Sequence, residues 1–216
     1  MPNKIYSKEE LEKLNEQRQR KMMTHLETLN DGVIAIIMTI LVLEIPAPHG
    51  INDYWNFLNS IAVFIISFFI VADFWYELNK IYASIEYATK GIIISNLLYL
   101  ASLSVMPILT KWIIENPSSL AVINYGVMYM IIELVGLIIR HFVFQLIASE
   151  DQDIQERESK SVRIRSVILF VINVFYILLS FNFPKIMIYA YLSLPAIHFF
   201  FPAETRIHLR KRYLKK

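Results

Sequence analysis

The 216-residue chain contains no cysteine, which excludes disulfides, thiolate metal sites and thiol catalysis at a stroke. Glycine is scarce, at five residues. There is no Gly-x-Gly-x-x-Gly fingerprint and no phosphate-binding Gly-Lys-Ser/Thr loop, so nucleotide-dependent chemistry lacks its usual backbone cradle. The five histidines are scattered, with no His-Glu-x-x-His and no spacing suited to metal ligands. An enzyme is therefore not expected, nor is any cofactor or metal. Charge is missing from long stretches of the chain. Gly32 to Leu43 carries none, and its only hydroxyl is Thr39.

What is abundant is apolar surface: 56% of residues are hydrophobic and 13% aromatic. A helix rises about 1.5 Å per residue, so about 20 apolar residues cross a bilayer's hydrocarbon core. Hydropathy gives about six such segments, near 30–46, 57–79, 91–113, 119–146, 164–182 and 185–202. The expected fold is an all-α polytopic membrane protein. Breakers separate the segments: Pro46 to Asp53 after the first, Asn116-Pro117-Ser118 after the third, and Asn182-Phe183-Pro184 after the fifth. The short connections imply antiparallel hairpins. Three regions follow: an N-terminal segment 1–25, a transmembrane domain 26–203, and a basic tail 204–216. The N-terminal segment is mixed in charge and insufficiently apolar for a cleaved signal, and reads as a cytosolic amphipathic helix or a loose tail.

The net charge of +2 conceals strong segregation. With six spans, one side holds every Lys and Arg except Lys111 and Lys185. The positive-inside rule places that side, with both termini, in the cytosol. The tail from Arg206 to Lys216 then suits anionic lipid of the inner leaflet, and nucleic acid is not an expected partner.

The first span carries the most specific signal. It enters its apolar run through Asn30-Asp31-Gly32, and a carboxylate there is costly unless it faces protein or water. Asn30 or Asp31 could cap the helix, and capping is compatible with a place beside an ion path. Ile36, Thr39 and Leu43 stand at i, i+3 and i+7 and share a face. Ordinary helix packing also explains such a face, and a threonine often bonds back to its own helix. No Thr-Val-Gly-Tyr-Gly filter occurs, and no acidic residue lies mid-span.

The run Glu27, Asp31-Gly32-Val33, Ala35-Ile36, Thr39 and Leu41-Val42-Leu43-Glu44-Ile45 resembles the first helix of the transmembrane protein 175 family of lysosomal and prokaryotic potassium channels. Trp75, Asn96-Leu97-Leu98, Ser104 and Pro107 extend the resemblance more loosely. The family pattern has Arg where His25 stands, Phe for Leu29, Ser for Asn30, and His near Asn79. The resemblance implies a homotetramer whose first helices line a central pore, in a single-repeat prokaryotic form and hence in the plasma membrane. It also implies a modestly selective potassium channel, with K+ as the permeant ion and Ile36 as the constriction. Thr39 and Leu43 would form the next layers, and Glu44 the mouth. His25, Asn30, Asp31 and Gly32 would form a polar cluster tying the helix to its neighbours.

Several residues stay open on sequence grounds. Glu133 and Arg140 lie within the fourth segment and need partners, with His141, Asp73 or a neighbouring subunit as candidates. Asp73, Glu77 and Asn79 could meet the motif around Asp31. Pro107 and Pro195 mark kinks. His198 reads as a hydrogen-bonded packing residue. The rival function is a proton- or ion-coupled secondary transporter of a small solute, which would use paired broken helices; a non-conducting membrane scaffold ranks third.

Overall fold

The computed structural model describes residues 7–148 and 155–200; side chains at 9, 11, 12, 16, 148, 155–163 and 198–200 fall outside that description. The described residues are all helical or in short connections. The helices are α1 (Lys8–Leu43), α2 (Tyr54–Tyr82), α3 (Lys90–Leu103), α4 (Met106–Glu115), α5 (Ser119–Ala148), α6 (Gln155–Ser180), α7 (Pro184–Ala190) and α8 (Ser193–Phe200).

α1 is one uninterrupted helix of 36 residues. It starts at a capping box: Glu10 N–H donates to the Ser7 hydroxyl at 3.2 Å, and Ser7 N–H donates to Glu10 Oε2 at 2.8 Å. The polar residues from Lys8 to His25 are thus the first half of the helix that carries Asn30-Asp31-Gly32, and the expected boundary at 25 falls inside it. Asn30-Asp31-Gly32 is neither a turn nor a cap. The N–H groups there are already engaged within the helix, which releases both side chains for contacts between helices. The basic tail 204–216 lies outside the described residues.

Two expected spans are broken. The third divides at Ser104–Val105, with Pro107 in the first turn of α4. Proline has no N–H for the preceding turn and crowds its carbonyl, so the helix restarts there. The two pieces remain nearly continuous, and Lys90–Glu115 is together long and apolar enough to cross a membrane. The sixth divides at Tyr191–Leu192, ahead of Pro195, into α7 and α8 of 7 and 8 residues. Neither piece approaches membrane length. Among the described residues four segments meet the length and apolarity of a span, and α6 adds a shorter apolar stretch, Ile164–Ser180. The architecture is a polytopic all-α membrane fold.

α1 packs on α2, α3 and α4, while α5 joins α3 and α4 to α6 and α7. Buried aliphatic side chains such as Ile34, Leu41, Ile70, Leu103 and Ile132 form the shared core. Several polar groups inside it are hydrogen-bonded between helices, which offsets the cost of burying them. Thr110 and Tyr125 both donate to the Ser67 hydroxyl, at 2.9 and 3.1 Å, joining α4 and α5 to α2. The Tyr191 hydroxyl donates to Asn173 Oδ1 at 3.1 Å, and Asn173 Nδ2 donates to the Gly126 carbonyl at 3.0 Å. Gly126 has to be glycine for this approach, because a Cβ there would collide with the Tyr191 hydroxyl and with Ile177.

Candidate ion pathway

One stripe of α1 is left uncovered along the apolar half of the helix. His25, Leu29, Gly32, Ile36, Thr39 and Leu43 alternate in steps of four and three, and all are exposed in the single chain. Ile36 is 58% exposed and Leu43 77%, whereas Ile37 and Leu41 on the opposite face are 3% and 0% exposed. The asymmetry is that of a helix with one face in the chain's own core and the other turned outward. A Cβ added at Gly32 would meet nothing within 4 Å, so this glycine is not demanded by packing inside the chain.

Thr39 lies on the stripe with its hydroxyl already committed as a donor: Oγ1 gives its proton to the Ile36 carbonyl at 2.8 Å. The lone pairs of Oγ1 are therefore what it offers to the outside. An oxygen in that state suits a cation better than an anion.

The polar residues of the motif divide between two neighbours. Asn30 is buried, and its Oδ1 accepts from Asn96 Nδ2 on α3 at 2.8 Å. Asn96 Oδ1 in turn accepts from the Tyr82 hydroxyl of α2, also at 2.8 Å. Asp31 Oδ1 accepts from the Trp75 indole N–H of α2 at 2.9 Å, and Asn79 Nδ2 donates to the Trp75 carbonyl at 3.1 Å. His25 and Gly32 stand apart on the open stripe, and His25 has no hydrogen-bond partner among the described residues. Tyr82 carries no sequence signal for its part. Only the fold brings it to Asn96.

At the far end of α1, Glu44 lies 3.2 Å from the Lys111 ammonium of α4. Between them and Ile36 runs a groove of about 360 Å³ lined by Ile36, Ile40, Glu44, Ser104, Pro107 and Lys111. The break between α3 and α4 forms its wall.

Glu77 answers the question of Arg140. Its Oε2 accepts from Arg140 at 3.2 Å and from Arg165 at 2.6 Å, and its Oε1 accepts from Lys80 at 3.3 Å. One buried carboxylate thus joins α2, α5 and α6. His141 is not the partner; it pairs with Gln145 at 3.0 Å. Glu133 lines a cavity of about 20 Å³ beside this cluster together with Glu77 and Arg140. Asp73 and Glu77 sit one turn apart on α2, but Trp75 is the residue of this helix that reaches Asp31. Pro195 is buried near the start of α8, and the His198 side chain is outside the described residues.

The arrangement is that of a membrane protein built around an outward-facing apolar helix with an anchored polar flank. Comparison with known proteins gives it a family. A sequence model described as endosomal/lysosomal potassium channel TMEM175 matches residues 25–107. A potassium channel of Chryseobacterium sp. (strain P1-3) is 30% identical over 172 residues, covering 76% of this chain and 85% of the relative. A potassium channel of Streptomyces collinus is 27% identical over 96 residues, covering 42% of this chain and 47% of the relative. The crystal structure of a lysosomal potassium-selective channel TMEM175 homolog from Chamaesiphon minutus superposes with a TM-score of 0.58 at 19% identity, over 81% of this chain and 98% of that one. The chain belongs to the TMEM175 family of potassium channels. It is classed with ion channels rather than enzymes. The plasma-membrane location expected from the resemblance is corrected here: the matched family is described as endosomal/lysosomal, and chain length is no guide to the compartment.

Proposed function

We propose that four copies of the chain assemble about an axis with the open stripes of α1 facing inward, and that the enclosed path conducts K+ in modest preference to Na+. The observation that carries this reading is the exposure of Ile36, Thr39 and Leu43 along one face of a helix whose other face is core. An apolar, membrane-length strip left uncovered calls for protein, lipid or a conduit. The related potassium channel from Chryseobacterium, matched over most of both chains, favours the conduit.

In this reading Ile36 forms the neck. Aliphatic side chains supply no oxygens to replace an ion's water, so passage is governed by neck width and by the cost of partial dehydration. Potassium sheds water more readily than sodium, and a tight apolar ring penalises sodium more. A narrower ring would dewet and close. Discrimination by this route is modest, since about 1.4 kcal/mol is needed for each tenfold. Thr39 Oγ1, its proton held by the Ile36 carbonyl, meets the ion with lone pairs just beyond the neck. Leu43 follows toward the mouth at Glu44. Both termini lie in the cytosol, and the broken α7–α8 segment completes the last hairpin.

The test is to widen and polarise the neck. Ile36→Asn is expected to bring the potassium/sodium permeability ratio, read from reversal potentials in liposome or bilayer recordings, close to one. An unchanged ratio removes Ile36 from the filter. The helix breaks before Pro107 and Pro195 also fit the rival transporter reading. Strict exchange or proton coupling in the same liposomes would favour it over a channel.

A further inference from the structure

Lys111 stands out in the sequence as one of two basic residues on the side otherwise free of them. In the structure its ammonium lies 3.2 Å from Glu44, the residue next after Leu43 on α1. The Glu44 side chain is 18% exposed and that of Lys111 49%, so the carboxylate is tucked between α1 and α4 while the ammonium reaches it from the open side. Glu115, one turn farther along α4, is exposed.

We infer that Lys111 sets the charge of the pore mouth and, through it, the mouth's discrimination between monovalent and divalent cations. The inference rests on the reading of α1 as the pore-lining helix. Four Glu44 carboxylates at the end of the path, unpaired, would raise the local cation concentration. As hard oxygen ligands they would also hold Ca2+ or Mg2+ there. Four Lys111 ammoniums, each on its own subunit's carboxylate, cancel that ring. The mouth then admits K+ without collecting divalent ions that block it. Lys111 also stands in the field of Glu115, so its loss unmasks part of that charge as well, in the same direction as the loss of the Glu44 pair. A merely structural clasp between α1 and α4 would alter stability, but not conduction in a salt-dependent way.

The experiment is single-channel recording of the full chain in bilayers at about 10 mM and about 1 M KCl, where the screening lengths are about 30 Å and about 3 Å. Lys111→Gln is expected to raise conductance about twofold or more at the lower salt, to lose that gain at the higher, and to acquire block by millimolar Ca2+ on the mouth side. Glu44→Gln leaves the ammoniums unopposed and lowers low-salt conductance. Lys111→Arg behaves as the parent, and the double variant K111Q/E44Q loses both effects. A Lys111→Gln channel equal to the parent at both salts, or altered equally at both, overturns the inference. If Ile36→Asn leaves selectivity unchanged as well, the pore-lining reading fails first and takes this inference with it. If Ile36→Asn changes selectivity and Lys111→Gln does nothing, only the inference falls.

Discussion

The indole N–H of Trp75 donates to the Asp31 carboxylate across 2.9 Å, tying α2 to the C-terminal half of α1. The bond fixes the rotation of α1 about its own axis, since Asp31 lies well round the helix from Ile36. Hydrogen bonds to charged groups contribute about 1.5–3 kcal/mol when buried, and this one is partly exposed and stands at the low end of that range or below. Trp75→Phe is expected to lower thermal stability in detergent by about 1 kcal/mol. A thermal melt indistinguishable from the parent would show that Asp31 needs no anchor.

Asn30, Asn96 and Tyr82 form a buried chain of hydrogen bonds across three helices. Asn30→Ala leaves the Asn96 amide as an unpaired buried donor, at a cost of about 1–3 kcal/mol. The triple variant N30A/N96L/Y82F removes all three polar groups of the chain and is expected to recover part of that loss. Chemical or thermal unfolding of the two variants checks the order.

Glu77 is the shared acceptor of Arg140 and Arg165, so its loss strands two cations at once. Glu77→Ala is expected to destabilise the protein by about 3–5 kcal/mol, the range for breaking a buried pair from one side. Arg140→Ala, which leaves Arg165 on Glu77, costs less. Comparable losses in the two variants would contradict the hub described here.

Much of the architecture was open to hydropathy: the first, second, third and fourth apolar segments coincide with α1, α2, α3–α4 and α5. The course of α1 was not. The Asn30-Asp31-Gly32 triplet looks like a helix entrance because its residue types favour caps and turns. The signal that decides the matter lies farther upstream, in the Ser7-x-x-Glu10 box, where the helix begins. The sixth segment fails as a single span because Pro195 interrupts it, an effect that hydropathy averages ignore. Partners at long range were hidden for a different reason. Arg165 stands at the very start of the fifth apolar segment, and nothing local marks it as the buried ligand of Glu77, 88 residues away. The Ile36, Thr39, Leu43 face was visible from spacing. That it stays uncovered in the folded chain is a fact of packing, since it depends on which face of α1 the other helices choose.

Gly126→Ala is expected to be strongly disruptive despite being a small change in a helix. Its Cβ would run into the Tyr191 hydroxyl and Ile177, and overpacking of this kind costs about 1–3 kcal/mol. Tyr191→Phe in the same background should restore part of the loss. Expression level and melting temperature in detergent report both effects.

The central claim is that the open stripe of α1 borders the ion path, and the absence of cysteine from these 216 residues allows a clean test. Single cysteines placed at Ile36, Leu43 and Ile37 can be treated with a charged, water-borne thiol reagent during recordings of potassium current. The account predicts rapid modification and loss of current for Leu43→Cys, slower or state-dependent loss for Ile36→Cys at the neck, and no response for Ile37→Cys. Modification at Ile37 with none at Ile36 or Leu43 would contradict it.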